Sequence, residues 1–144
     1  MGVVFVATGV QNRAADGRSL TFYAVLATKH KRDLIDESVN ETLKQLFTEV
    51  KGDQQISVVD WKWRAYGVML TAEVGLQSGL PSVLRKFRMK SNREIPKQYE
   101  SVRTALGGDS FWTGSFCFVP ADDQAERIIS DYMKSISKMA ETAS

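Results

Sequence analysis

A chain of 144 residues with 43% hydrophobic and 25% charged residues has enough apolar material for one packed core. Its longest apolar runs, such as Val3 to Val6, are too short to cross a bilayer. One cysteine, Cys117, excludes an internal disulfide, and the N-terminus lacks a secretion pattern, so a single cytoplasmic domain over residues 1–144 is expected, with no membrane partner.

Met1 to Val10 is β-branched and apolar, and Asp16-Gly17 marks a hairpin turn toward a returning strand at Leu20 to Ala27. Lys29-His30-Lys31-Arg32 follows at once. Ser38 and Glu41 fit a capping box, opening a helix whose apolar stripe is Val39, Leu43, Leu46, Phe47 and Val50 and which Gly52-Asp53 ends. Ile56 to Arg64 alternates, with Val59, Trp61 and Trp63 on one face. Ala65-Tyr66-Gly67 either turns or carries the chain straight on into another strand, Val68 to Val74. Leu80-Pro81 opens the second helix, with Leu80, Val83, Leu84 and Phe87 inward and Pro96 expected to stop it near Ile95. A loop then reaches a strand at Phe111 to Val119. Asp122 and Asp123 precede a last helix with Ala125, Ile128, Ile129, Tyr132 and Ile136 inward.

The order predicts an α+β fold: a ferredoxin-like antiparallel sheet with two helices on one face, an extra N-terminal hairpin strand, and a C-terminal helix that carries a tyrosine. That architecture hosts many functions and selects none.

The net charge of +2 implies no partner by itself. Its distribution says more: between Pro81 and Arg103 stand Arg85, Lys86, Arg88, Lys90, Arg93, Lys97 and Arg103 against only Glu94 and Glu100. At about 100° per residue, Lys86, Lys90 and Arg93 share one sector, with Arg85 and Arg88 flanking the buried stripe. This is either a solvated helix face or a phosphate-binding one, with Ser91 and Asn92 adding polar contacts and affinity falling steeply with salt. Tyr132 is either a core residue with its hydroxyl at the rim or a nucleophile toward phosphorus. His30, the sole histidine, stands among cations and suits a surface or phosphate contact rather than metal. Cys117 reads as core, and Trp61 and Trp63 as core more than as base-stacking platforms.

These segments resemble the single-tyrosine HUH transposases of the insertion-sequence 200/605 group. Thr28-Lys29-His30-Lys31-Arg32 resembles the family's Thr-Lys-Tyr-Arg-Arg segment, and Phe87 to Arg93 its Leu-Lys-Gly-x-Ser-Ser-Arg helix. Phe111-Trp112-Thr113 with Phe116 is similar to its Phe-Trp-Ser-x-x-Tyr strand, and Ile128-Ile129-x-x-Tyr132-Met133 to its tyrosine helix. The resemblance covers Phe22 to Ile136 and implies a homodimer that cuts and rejoins single-stranded DNA beside hairpins, with Tyr132 at the nucleophile position.

The family's paired histidines are absent: the matching strand reads Tyr66-Gly67-Val68-Met69-Leu70, and Ile136 replaces a ligand glutamine. Tyr66, Val68 and Ile136 are thus degenerate metal positions, and no metal or other cofactor is expected. The leading expectation is a homodimer that binds single-stranded or hairpin DNA through Lys29, Lys31, Arg32, Arg85, Lys86, Arg88, Lys90, Ser91, Asn92, Arg93 and Lys97, without cleavage. DNA is preferred over RNA on the resemblance alone, since charge does not separate them. The alternatives are an active enzyme using Tyr132 with magnesium or manganese held by carboxylates such as Glu73 or Asp60, or a protein-assembly subunit with a protein partner.

Overall fold

The computed structural model describes residues 19–75 and 79–143, with side chains placed for 20–75 and 79–138. The strand expected at Met1 to Val10 and the Asp16-Gly17 turn lie outside them.

The described elements are β1 (Ser19–Thr28), a 3-10 turn (Lys29–Lys31), α1 (Glu37–Lys51), β2 (Ile56–Arg64), β3 (Gly67–Gly75), α2 (Leu80–Gln98), α3 (Glu100–Leu106), β4 (Trp112–Pro120) and α4 (Ala125–Ala143). The four strands form one sheet in the order β2-β3-β1-β4, antiparallel throughout. This is the ferredoxin-like pattern expected from the element order. The register Ala24↔Leu70 and Leu26↔Val68 sets the two faces, because side chains alternate across a strand.

On one face Ala24, Leu26, Val68, Leu70, Ala72 and Val74 pack beneath α1 and α2, meeting Leu43, Phe47, Leu84 and Phe87. Phe87 is the centre of an aromatic group, with ring centroids 5.4 Å from Phe47, 6.3 Å from Trp61 and 6.1 Å from Trp112. On the other face Tyr23, Val25, Met69, Cys117 and Val119 are covered by Ala125, Ile129 and Met133 of α4. The last helix therefore closes the sheet face that α1 and α2 leave open.

Four local expectations are corrected. The cap of α1 is Asp36, whose Oδ1 accepts from Val39 N at 2.9 Å, so Ser38 lies inside the first turn and does not cap. In β2 the register shifts between Val58 and Asp60; Val59 is the extra residue of a bulge and is 52% exposed, so it does not share a buried face with Trp61 and Trp63. Pro96 lies within α2, which runs on to Gln98: full burial of Ile95 holds the chain helical past the proline, and Tyr99 N donates to Ile95 O. The expected loop before β4 contains α3, a short helix that buries only Val102 and Leu106, too sparse a stripe to read from sequence.

Candidate nucleic-acid interface

The amphipathic face of α4 decides where Tyr132 goes. Ala125, Ile129 and Met133 are buried against the sheet and Ile136 is buried further along the same stripe, while Ile128, expected inward, is 39% exposed on the outer side. Tyr132 lies at the margin of this stripe, half-buried, and its hydroxyl donates to the Ser115 carbonyl of β4 at 2.9 Å. Burial pushes the phenol up to about 12, and the charge of Arg88 offsets that only in part. A phenol so held is protonated at neutral pH and is poorly prepared for attack on phosphorus.

Of the positions that the sequence suggests for a metal site, the structure brings two to this face. Tyr66, in the turn between β2 and β3, packs against the α4-side cluster, and burial raises its phenol above the ordinary value. Ile136, on the inner stripe of α4 itself, is buried. Val68 points the other way, fully buried under α1 and α2, because the α4 face of β3 is formed by Gly67, Met69 and Thr71. Neither Val68 nor Ile136 has a donor atom. Among the described residues no group of three His, Cys, Asp or Glu side chains could hold a metal ion. The residues present do not fit the family's metal.

Asp60 and Glu73 do not make good the deficit. Asp60 is on β2, three strand spacings from β4, or about 14 Å. Ser115 is next to Phe116, which pairs with Leu26 and so stands level with Val68; Glu73 is five residues further along β3, about 17 Å away. The sheet register keeps both carboxylates away from Tyr132.

The basic residues divide into three groups. On α2, Arg85 and Lys86 are exposed and form no ion pair with any described residue, and Arg88 lies over the Phe116 ring at 5.6 Å. Further along, Lys90 pairs with Glu49 at 3.1 Å, and Arg93 and Lys97 both reach Glu94, at 3.4 Å and 3.6 Å. The continuous cationic sector expected from helical spacing is therefore broken by acidic neighbours, one of them from α1.

Ser91 and Asn92 belong to the fold rather than to a phosphate surface. Ser91 is fully buried; its hydroxyl donates to Phe87 O at 2.6 Å and accepts from the Trp112 indole at 2.6 Å. Asn92 Oδ1 accepts from Trp112 N at 3.0 Å. The two side chains fasten β4 to α2.

The third group is the turn after β1. Thr28 Oγ1 donates to Arg32 O at 2.6 Å, Lys29 N to Phe111 O at 2.9 Å, and Leu34 N and Ile35 N to Ala65 O at 2.8 Å and 2.9 Å. These bonds force His30 and Lys31 into left-handed conformations at φ 57° and 55°, which cost about 1–2 kcal/mol each for residues with a Cβ. Such strain persists where the surroundings over-determine the backbone and is concentrated at functional sites. Lys31 Nζ stands 4.7 Å over the Tyr66 ring and donates to Ser137 Oγ at 3.0 Å, so it ties the turn to α4. Lys29, His30 and Arg32 converge on Asp109, at 3.4, 3.7 and 3.8 Å. Asp109 was not legible as a site residue: Gly107-Gly108-Asp109 reads only as a turn, and its partners lie some eighty residues away in the chain.

A ferredoxin-like sheet, a helix-borne tyrosine against its free face and a basic turn at the end of β1 together describe a small tyrosine transposase domain. Residues 18–135 match the family model of IS200-like transposases, and the chain belongs to that family. Among its relatives, the ISDra2 transposase TnpA of Deinococcus radiodurans is 18% identical over 116 residues, 81% of this chain and 83% of that protein. A crystal structure assigned to a transposase of Deinococcus radiodurans R1 superposes with a TM-score of 0.71 at 16% identity, covering 88% of this chain and 98% of the other. A REP-associated tyrosine transposase, solved bound to a REP hairpin, gives a TM-score of 0.50 at 14% identity, covering 94% of this chain and 68% of that one.

Proposed function

We propose that this protein is a DNA-binding member of the IS200-like transposase family that engages single-stranded or hairpin DNA as a homodimer and does not cleave it by the metal-dependent route. The observation that carries the reading is the setting of Tyr132. Its hydroxyl is bonded to the Ser115 main chain, the α4 face of β3 offers Gly67, Met69 and Thr71 where paired histidines would be needed, and Ile136 of α4 has no atom to offer a metal. Binding requires none of this: Arg85, Lys86 and Arg88 on α2 and the Lys29 to Arg32 turn supply cations to phosphates, with release of condensed counterions. The hairpin held by the REP-associated neighbour makes a DNA hairpin the natural first probe.

The test is a labelled single-stranded hairpin DNA incubated with the protein and magnesium or manganese. Retention that weakens with salt, with no covalent adduct, is the expected result. A protein–DNA adduct that disappears in Tyr132→Phe would overturn the inactive reading and make the protein a working transposase.

A further inference from the structure

The Lys29 to Arg32 turn is not an empty basic patch, because a carboxylate from a distant loop already lies in it. Lys29 Nζ, His30 Nε2 and Arg32 Nη2 approach Asp109 at 3.4, 3.7 and 3.8 Å, all longer than a good hydrogen bond. Each partner is about one-third exposed, so these pairs are weak and exchangeable. Arg32 uses one arm of its fork on Asp109, while Nη1 is buried beside it with no hydrogen-bond partner among the described residues, so the displacement of Asp109 is needed to open it. A guanidinium fork matches two oxygens of one anion, which a single-edged contact to a carboxylate leaves unmet.

The loop that carries Asp109 is held at its far end by β1 and β4 and at its near end by two single backbone bonds to α3, Gly107 N to Arg103 O at 3.1 Å and Asp109 N to Leu106 O at 3.0 Å, of which withdrawal of Asp109 would break the second. Its far end is pinned where Lys29 N donates to Phe111 O and Ser110 Oγ donates to Trp112 O. Its near end is Gly107 and Gly108, at φ 56° and 92°, with no described atom within 4 Å of where a Cβ would stand. Two glycines in open space permit the backbone rotation that would withdraw Asp109. Asp109 remains ionised, because the Ser110 N–H bonds its carboxylate and Lys29 and Arg32 stand beside it.

We propose that Lys29, His30 and Arg32 form a phosphodiester site that Asp109 fills as an internal counter-anion, and that nucleic acid displaces Asp109 by rotation at Gly107-Gly108. This rests on the reading of the turn as a phosphate contact and adds its regulation: Asp109 lowers affinity for isolated anions and favours a polyanion with phosphates to spare.

Two probes separate the ideas. Inorganic pyrophosphate, followed by the amide resonances of Lys29 and His30 and the Nε–Hε resonance of Arg32, reports the site without DNA. Asp109→Asn should bind pyrophosphate and single-stranded hairpin DNA about fivefold more tightly, the size of one unit-charge contact in water. Its salt slope for DNA should steepen by about 0.7. Asp53→Asn, an exposed carboxylate in the turn after α1, controls for net charge and should change neither by more than a small fraction of that. If Asp109→Asn matches the wild type or the Asp53→Asn control, the proposal fails, even if DNA is bound. If pyrophosphate moves Arg32 and Lys29 and Asp109→Asn tightens it while DNA is not retained at all, the proposal stands and the DNA reading falls.

Discussion

The Trp112 indole donates to the Ser91 hydroxyl at 2.6 Å, and both groups are buried. Ser91 passes the interaction on to Phe87 O at 2.6 Å, so one hydroxyl joins the start of β4 to the middle of α2. What reads in sequence as a polar contact within a basic helix motif is a fastening between two layers of the fold. Ser91→Ala would leave a buried indole N–H without an acceptor, at a cost of about 1–3 kcal/mol. Urea unfolding should show the midpoint lowered with the slope unchanged. DNA affinity per folded molecule should not move; a loss of affinity with full stability would return Ser91 to the phosphate surface.

The cations of α2 are not equivalent, which gives a second prediction. Arg85 and Lys86 face solvent without a described acidic partner, whereas Lys90 lies against Glu49 and Arg93 and Lys97 share Glu94. Reversal of Arg85 and Lys86 to glutamate should flatten the salt slope for single-stranded DNA by about 0.7 for each phosphate that is no longer neutralised. Reversal of Lys90 and Arg93, which share a helical sector with Lys86, should have the smaller effect on DNA because their field is already offset by Glu49 and Glu94. Filter-binding titrations across a salt series distinguish the two pairs; equal effects would mean that the carboxylates move aside when DNA binds.

The difference between those pairs marks the boundary of what sequence conveys here. The order of the four described strands and of α1, α2 and α4, the inward positions of α1 and α2 and the basic stretch were legible, because each follows from local periodicity or composition. Glu49 beneath Lys90, Asp109 beneath Arg32 and Ser115 beneath Tyr132 were not, since each is a contact between elements distant in the chain. Val68 shows the same limit at shorter range. The resemblance places it at a ligand position, but strand alternation in the actual register turns it to the opposite face. Ile95 and Pro96 illustrate a second kind of miss, where tertiary burial overrides a local stop signal.

The bulge in β2 yields a prediction that alternation alone would invert. Val59 is the extra residue between Val58 and Asp60 and is 52% exposed, while Trp61 bonds Asn40 Oδ1 through its indole at 2.8 Å and packs edge-on to Phe47. Val59→Thr should change stability by no more than about 0.5 kcal/mol, as at an ordinary surface site. Trp61→Ala should cost about 3–5 kcal/mol, and removal of its indole also leaves Asn40, which is buried, short of a donor. Denaturant midpoints of the two variants decide the matter; a large destabilisation in Val59→Thr would restore the strict alternation.

The environment of Tyr132 gives its own pH signature. Burial raises its folded pKa to about 12, against about 10 for tyrosine in an unfolded chain. Between these values the folded state holds a proton that the unfolded state has released, so the contribution of this group is fully present below pH 10 and is lost as pH rises through 12. Absorbance of tyrosinate in the folded protein should show the Tyr132 phenol ionising well above pH 10, and Tyr132→Phe should remove that high-pH component together with part of the alkaline loss of stability. The same substitution deletes the bond to the Ser115 carbonyl, worth about 0.5–1.5 kcal/mol near neutral pH. A Tyr132 that titrates at or below 10 would mean that the hydroxyl is freer than this contact implies. It would then be available as a nucleophile, and the cleavage assay would become the more pressing of the two measurements.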